Sequence, residues 1–230
     1  MNTQTQSAKP MTIVRSGLRR PNWISRLAQQ DVILCRDASG SMRGQKARDA
    51  STASLDLVAE LADPANKDGF NVAVVDFSSA SKIIHNLEKA TALNGRVSPL
   101  SVGLFSGSTN ITTSLEDAVS ILENADQHKS EGVNFLRPVT ILFTDGCHND
   151  GPDPQVVADR LKLTADLLGV AFGSDADEAL LHRLASTSQH VYRCTTGREL
   201  RKFLAAVGAT MTATMAAGTN ATQALTTIRQ

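Results

Sequence analysis

From residue 31 onward, apolar runs of five to seven residues alternate with stretches of helical periodicity, and this alternation restricts the chain most. The runs cover residues 31–35, 71–77, 82–87, 139–143, 166–172 and 190–194. They are nearly continuous rather than alternating in polarity, which suits strands covered by helices on both faces. Strands separated by helices predict an α/β fold with a mostly parallel sheet. Between the first two runs, Ala47, Ala50, Ser54, Leu57, Val58 and Leu61 form one stripe, predicting an amphipathic helix over 45–61. Similar stripes run through 114–124, 154–163, 177–185 and 198–207. Only the runs 71–77 and 82–87 lack a helix between them. The small and polar residues Ser78, Ser79, Ala80 and Ser81 join them, so they form an antiparallel hairpin with one strand at a sheet edge.

Flanking segments differ in composition. Residues 1–30 carry Lys9, Arg15, Arg19, Arg20 and Arg26 with no acid, and are expected to form a basic, partly disordered arm. The domain is drawn over 31–207, and 208–230 is read as an uncharged, Thr- and Ala-rich tail apart from Arg229. Leu204, Val207, Met211 and Met215 offer a stripe that could extend the last helix, against the low helix propensity of Gly208 and the threonines.

Charge and cysteines exclude some classes. The whole chain is formally neutral, and residues 31–230 hold 18 basic against 23 acidic residues, so the folded part is no general nucleic-acid binder. No apolar span is long enough to cross a membrane, and no compact secretory signal opens the chain. The cysteines Cys35, Cys147 and Cys194 are odd in number and widely spaced, which reads as free thiols in a reducing compartment. A cytoplasmic location is expected.

In parallel α/β sheets, ligands gather beyond the C-terminal strand ends. Three polar clusters fall at or near such ends: 37–41 (Asp-Ala-Ser-Gly-Ser), 106–110 (Ser-Gly-Ser-Thr-Asn) and 144–146 (Thr-Asp-Gly). Carboxylates meeting there repel unless a cation lies between them. The hydroxyls of Ser39, Ser41 and Thr109 would complete an all-oxygen shell suited to magnesium, manganese or calcium, magnesium fitting best. Gly40 is expected to act as the hinge that turns Ser39 and Ser41 to one point.

The segments DVILCRDASGSM, SGSTNITTSLEDAV and VTILFTDGCHND resemble the three parts of a von Willebrand factor type A (VWA) domain carrying a metal-ion-dependent adhesion site (MIDAS). Its D-x-S-x-S pattern falls on Asp37, Ser39 and Ser41, its distal threonine on Thr109 and its distal aspartate on Asp145. The resemblance implies a doubly wound, Rossmann-like sheet of six strands with one antiparallel edge. It also implies a binding module and not an enzyme, in which an ion receives an Asp or Glu carboxylate from a protein partner. Stand-alone bacterial members work beside MoxR-type AAA+ ATPases, metal-chelatase motors, or kinase and phosphatase components of tellurite-resistance-type systems.

Arg36 departs from the family pattern, which has an apolar residue there. A buried arginine needs an acid, and Asp76, a charge within an apolar run, is the expected partner; exit to solvent is the other reading. A cation at position 36 is expected to weaken ion binding somewhat by like-charge repulsion. Residues 147–150 (Cys-His-Asn-Asp) lack zinc-ligand spacing and read as a loop beside the ion, with Asn149, Asp150 and Arg43 on its rim. His85, His128, His182 and His190 read as structural or solvated. Asn220 opens a glycosylation sequon without meaning in a cytoplasmic protein.

Two other functions compete. A phosphotransferase of haloacid-dehalogenase type needs a second acid where Ser39 stands, and a scaffold with a vestigial metal site would bind through sheet edges or tails. Neither Ser39 nor Ser41 lies in G-x-S-x-G, and no phosphate-binding G-x-x-x-x-G-K-[ST] loop is present.

Overall fold

A computed structural model describes residues 28–103 and 107–228. In chain order its elements are β1 (Ala28–Asp37), α1 (Gln45–Leu61), β2 (Phe70–Phe77), β3 (Ser81–Lys89), α2 (Ala90–Leu93), α3 (Ile111–Asp126) and β4 (Asn134–Phe135). There follow β5 (Val139–Thr144), α4 (Gln155–Thr164), β6 (Asp166–Phe172), α5 (Glu178–Leu184), β7 (Val191–Cys194), α6 (Gly197–Ala217) and α7 (Thr222–Leu225). Most of the arm expected over 1–30 lies outside the described residues, but residues 28–30 already belong to β1.

The sheet order is β3-β2-β1-β5-β6-β7, with the short β4 beside the start of β1. All pairs are parallel except β2 with β3, so the hairpin provides the antiparallel edge as expected. Strand order reverses between β1 and β5. That reversal opens a crevice at their C-terminal ends, where loops leave in opposite directions.

Period-two alternation sends Val32 and Leu34 to one face and Ile33 and Cys35 to the other. The first face packs against α1 and α6, through Leu57, Val58, Leu61, Leu204 and Val207. The second packs against α3, α4 and α5, through Leu115, Leu122, Leu161 and Leu181. Both layers anchor β1, so its end is held from two sides.

Two boundaries differ from the sequence reading. Helix α3 starts at Ile111 rather than near Ser114, because the Asn110 side chain caps it by accepting from Thr113 N. No break falls at the expected 207/208 boundary: α6 continues to Ala217 and buries Met211 and Met215. Gly208 assists this, since a Cβ there would stand 2.7 Å from Glu60 Cγ and 3.4 Å from Leu57 Cδ1. The absent side chain lets α6 lie close against α1.

Beyond α6 the chain is tied to the base of the sheet. Arg137 N donates to Asn220 Oδ1 (2.7 Å), Thr222 Oγ1 donates to Asp166 Oδ2 (2.5 Å), and the Tyr192 hydroxyl donates to Leu225 O. Ala221 and Leu225 are fully buried. The sequon residues Asn220 and Thr222 thus each take part in a hydrogen bond to the base of the sheet. Among the described residues no helix is long and apolar enough to cross a membrane.

Leu225→Ala should lower unfolding stability by about 2–4 kcal/mol in urea titrations, as for other buried leucines. An unchanged midpoint would make residues 208–228 a dispensable tail.

Candidate metal centre

Asp37 ends β1, and Asp145 follows the last residue of β5. Both are fully buried. The β1–β5 register sets Arg36 opposite Phe143, which brings Asp37 level with Thr144, and Thr144 Oγ1 donates to Asp37 Oδ2. The other Asp37 oxygen accepts from Ser39 N at 2.8 Å, turning the chain sharply after the strand. Residues Gly40–Met42 form a 3-10 turn, and Gly40 has no positive φ. The expected glycine hinge is thus replaced by the tight turn itself, which puts Ser39 Oγ and Ser41 Oγ 3.0 Å apart.

Ser41 Oγ donates to Asp145 Oδ1 at 2.6 Å. A hydroxyl has one proton, so with Ser41 donating to Asp145 the Ser39 hydroxyl is the donor within the serine pair. Thr109 arrives from the loop before α3. A Cβ on Gly146 would stand 3.7 Å from Thr109 Oγ1 and 3.8 Å from Ser41 Oγ, so both hydroxyls converge over this glycine. The structure therefore brings together Asp37, Ser39, Ser41, Thr109 and Asp145. Burial raises the Asp37 carboxyl above its ordinary range against its hydrogen bonds from Thr144 and Ser39, and the Asp145 charge adds to the rise. Bringing a cation to this point would relieve both carboxylates.

The donors fit a hard divalent ion. All are oxygens, and Ser39, Ser41 and Asp145 are already joined by hydrogen bonds of 3.0 and 2.6 Å. Among the described residues no three His, Cys, Asp or Glu side chains gather, so any shell here must draw on hydroxyls.

Sequence reasoning missed two features. The Lys46 ammonium, from the first turn of α1, donates to Asp145 Oδ2. The loops around the cluster are also laced together. Thr109 N donates to Asn149 Oδ1 (2.8 Å), Asn149 N to Thr109 O (3.0 Å), Ser108 Oγ to Asp150 Oδ2 (2.8 Å) and Ile111 N to His148 Nδ1 (3.2 Å). Asn149 and Asp150, expected on the rim, thus engage the Thr109 loop; their place a few residues beyond Asp145 was the available signal. Ser106, in the second polar cluster, lies outside the described residues.

Arg36 and Asp76 stand opposite each other in the β1–β2 register. Arg36 Nε and Nη2 reach the two Asp76 oxygens at 2.6 and 3.0 Å, and Arg36 is fully buried. Burial raises the Asp76 carboxyl while the guanidinium pulls it down. Alternation directs Arg36 and Asp37 to opposite faces. Arg36 is thus neutralised, which removes the expected penalty on an ion. Its remaining Nη1 donates to Ser98 O at 3.0 Å, and His85 Nε2 accepts from Ser98 N at 3.1 Å. These bonds tie Ser98 to β1 and β3.

A doubly wound, mostly parallel sheet with oxygen-bearing side chains gathered at its switch point defines an α/β protein of the Rossmann-like class. The profile of the von Willebrand factor type A domain matches residues 31–206, and the chain belongs to that family. The chain is 25% identical over 173 residues to human inter-alpha-trypsin inhibitor heavy chain H6, covering 72% of this chain and 13% of that protein. The chain thus spans about one-eighth of that relative's length. Its fold is similar to a von Willebrand factor type A structure from Catenulispora acidiphila, with TM-score 0.66, 18% identity and coverage of 80% and 43%. It is also similar to proximal thread matrix protein 1 from the mussel byssus with a zinc-occupied MIDAS motif, with TM-score 0.62, 22% identity and coverage of 80% and 46%.

Arg36→Met should cost about 3–5 kcal/mol by leaving Asp76 charged and unpaired, and Arg36→Met with Asp76→Leu should recover most of it in denaturant unfolding. Additive losses would contradict the pairing.

Proposed function

We propose that this chain is a metal-dependent protein-binding module, in which Asp37, Ser39, Ser41, Thr109 and Asp145 hold a divalent ion, magnesium by preference, at a MIDAS. When bound, the ion offers a Lewis-acidic position to an Asp or Glu carboxylate of a protein partner. The carrying observation is the meeting of two buried carboxylates with three hydroxyls at one strand-end crevice. Manganese and calcium suit the same oxygen donors, with magnesium favoured by few carboxylates and compact hydroxyls.

The protein's own groups bind and orient rather than react. Each carboxylate oxygen of Asp37 and Asp145 already accepts a hydrogen bond, which fixes both side chains. The laced loops at 108–111 and 148–150 hold Thr109 over the cluster. A phosphotransferase is disfavoured because Ser39 stands where a second acid would be needed. The partner class follows the family resemblance: a MoxR-type AAA+ ATPase, a chelatase motor, or a component of a kinase and phosphatase system. Cys35, Cys147 and Cys194 are all free thiols, which supports a cytoplasmic setting.

After chelation, magnesium at about 100 times its Kd should stabilise the wild type by about 2.7 kcal/mol, and Asp145→Ala should lose that response. Thermal unfolding reads both, and a pull-down with and without EDTA identifies the partner. Absence of ion-dependent stabilisation in the wild type would refute the reading and leave a scaffold with a vestigial site.

A further inference from the structure

Lys46 brings a positive charge to a place the five oxygen donors do not explain. It is the second residue of α1, and its ammonium donates to Asp145 Oδ2. It also faces the end of β6: a Cβ on Gly173 would stand 3.3 Å from Lys46 Nζ. The lysine therefore bridges the start of α1 and the ends of β5 and β6. Asp145 is fully buried, whereas the Lys46 side chain is 33% exposed, so one side of the cluster is charged and reachable from solvent.

Among the five donors and the ammonium in direct contact with them, the charges can be counted. Asp37 and Asp145 contribute two negative charges and Lys46 one positive. Arg36 adds nothing, since Asp76 neutralises it on the other face of β1. The cluster without an ion is then net −1, and with a divalent ion net +1. With a neutral residue at position 46 those values would be −2 and 0. Like-charge repulsion should make the lysine oppose the ion, while the surplus positive charge should favour a monoanionic ligand over neutral water.

We propose that Lys46 sets the charge of the loaded centre at +1, lowering its affinity for the divalent ion and raising its affinity for a single carboxylate. This deepens the metal-dependent reading and rests on it. Lys46 does not replace any of the five donors. It acts on the ligand through the charge of the whole site, and its side chain is 33% exposed.

The test uses the full chain as wild type, Lys46→Met and Lys46→Arg. Manganese affinity is read from the free-ion magnetic resonance signal, and acetate binding to the manganese-loaded protein from loss of water-proton relaxation. Lys46→Met should bind manganese roughly tenfold tighter and acetate roughly tenfold weaker, with Lys46→Arg near wild type in both. Chelated Lys46→Met should also melt lower than chelated wild type, because Asp145 loses its partner, and should gain more on adding manganese. Unchanged manganese and acetate affinities in Lys46→Met would overturn the charge role while leaving the metal site standing. Weaker manganese binding in that variant would make Lys46 only a brace for Asp145 and would also overturn it. Failure of the wild type to bind manganese would overturn the metal reading itself, and this inference with it.

Discussion

Two carboxylates buried at the ends of adjacent central strands are the constraint on which the rest of the structure turns. Asp37 and Asp145 have no exposed surface, and burial together with the nearby Asp145 charge raises the cost of charging Asp37. A buried charge is tolerated only when paired or hydrogen-bonded. Ser39, Ser41, Thr144 and Lys46 supply those contacts, so the cluster is assembled before any ion arrives. An assembled cluster avoids much of the ordering cost that a flexible set of ligands would meet on binding.

Holding this cluster requires structure at a distance from it. The packing of β1 between the two helical layers fixes Asp37, and the β1–β5 register fixes Asp145 beside it. Thr109 comes from a long loop and needs its own restraints. These come from the lacing to residues 148–150, while the Arg36–Asp76 pair separately ties Ser98 to the sheet. Arg36, which looked like a competitor of the ion, is instead held by Asp76 on the opposite face of β1.

The sheet and its antiparallel edge were legible because apolar runs and helical stripes report burial directly. The convergence of Asp37, Ser39, Ser41, Thr109 and Asp145 was legible because family motifs occupy strand ends, which the sheet topology brings together. The Arg36–Asp76 pair could be argued from the cost of burying either charge alone. Other features depend on through-space contacts without local pattern. Lys46 sits on an otherwise ordinary helix start, and nothing in its neighbours along the chain points to Asp145. Asn149 and Asp150 were expected on the rim, but their hydrogen bonds to the Thr109 loop follow only from the folded loop. Gly208 argued against a continuous α6 on propensity, and only the closeness of Glu60 and Leu57 explains its presence.

The most direct measurement is pulsed electron paramagnetic resonance on the wild-type chain loaded with manganese. An ion held by carboxylate, hydroxyl and water oxygens should appear at one site per chain and show no coupling to a directly bound nitrogen. A strong nitrogen coupling, as from ligation by His148, or the absence of any specifically bound ion, would contradict the account.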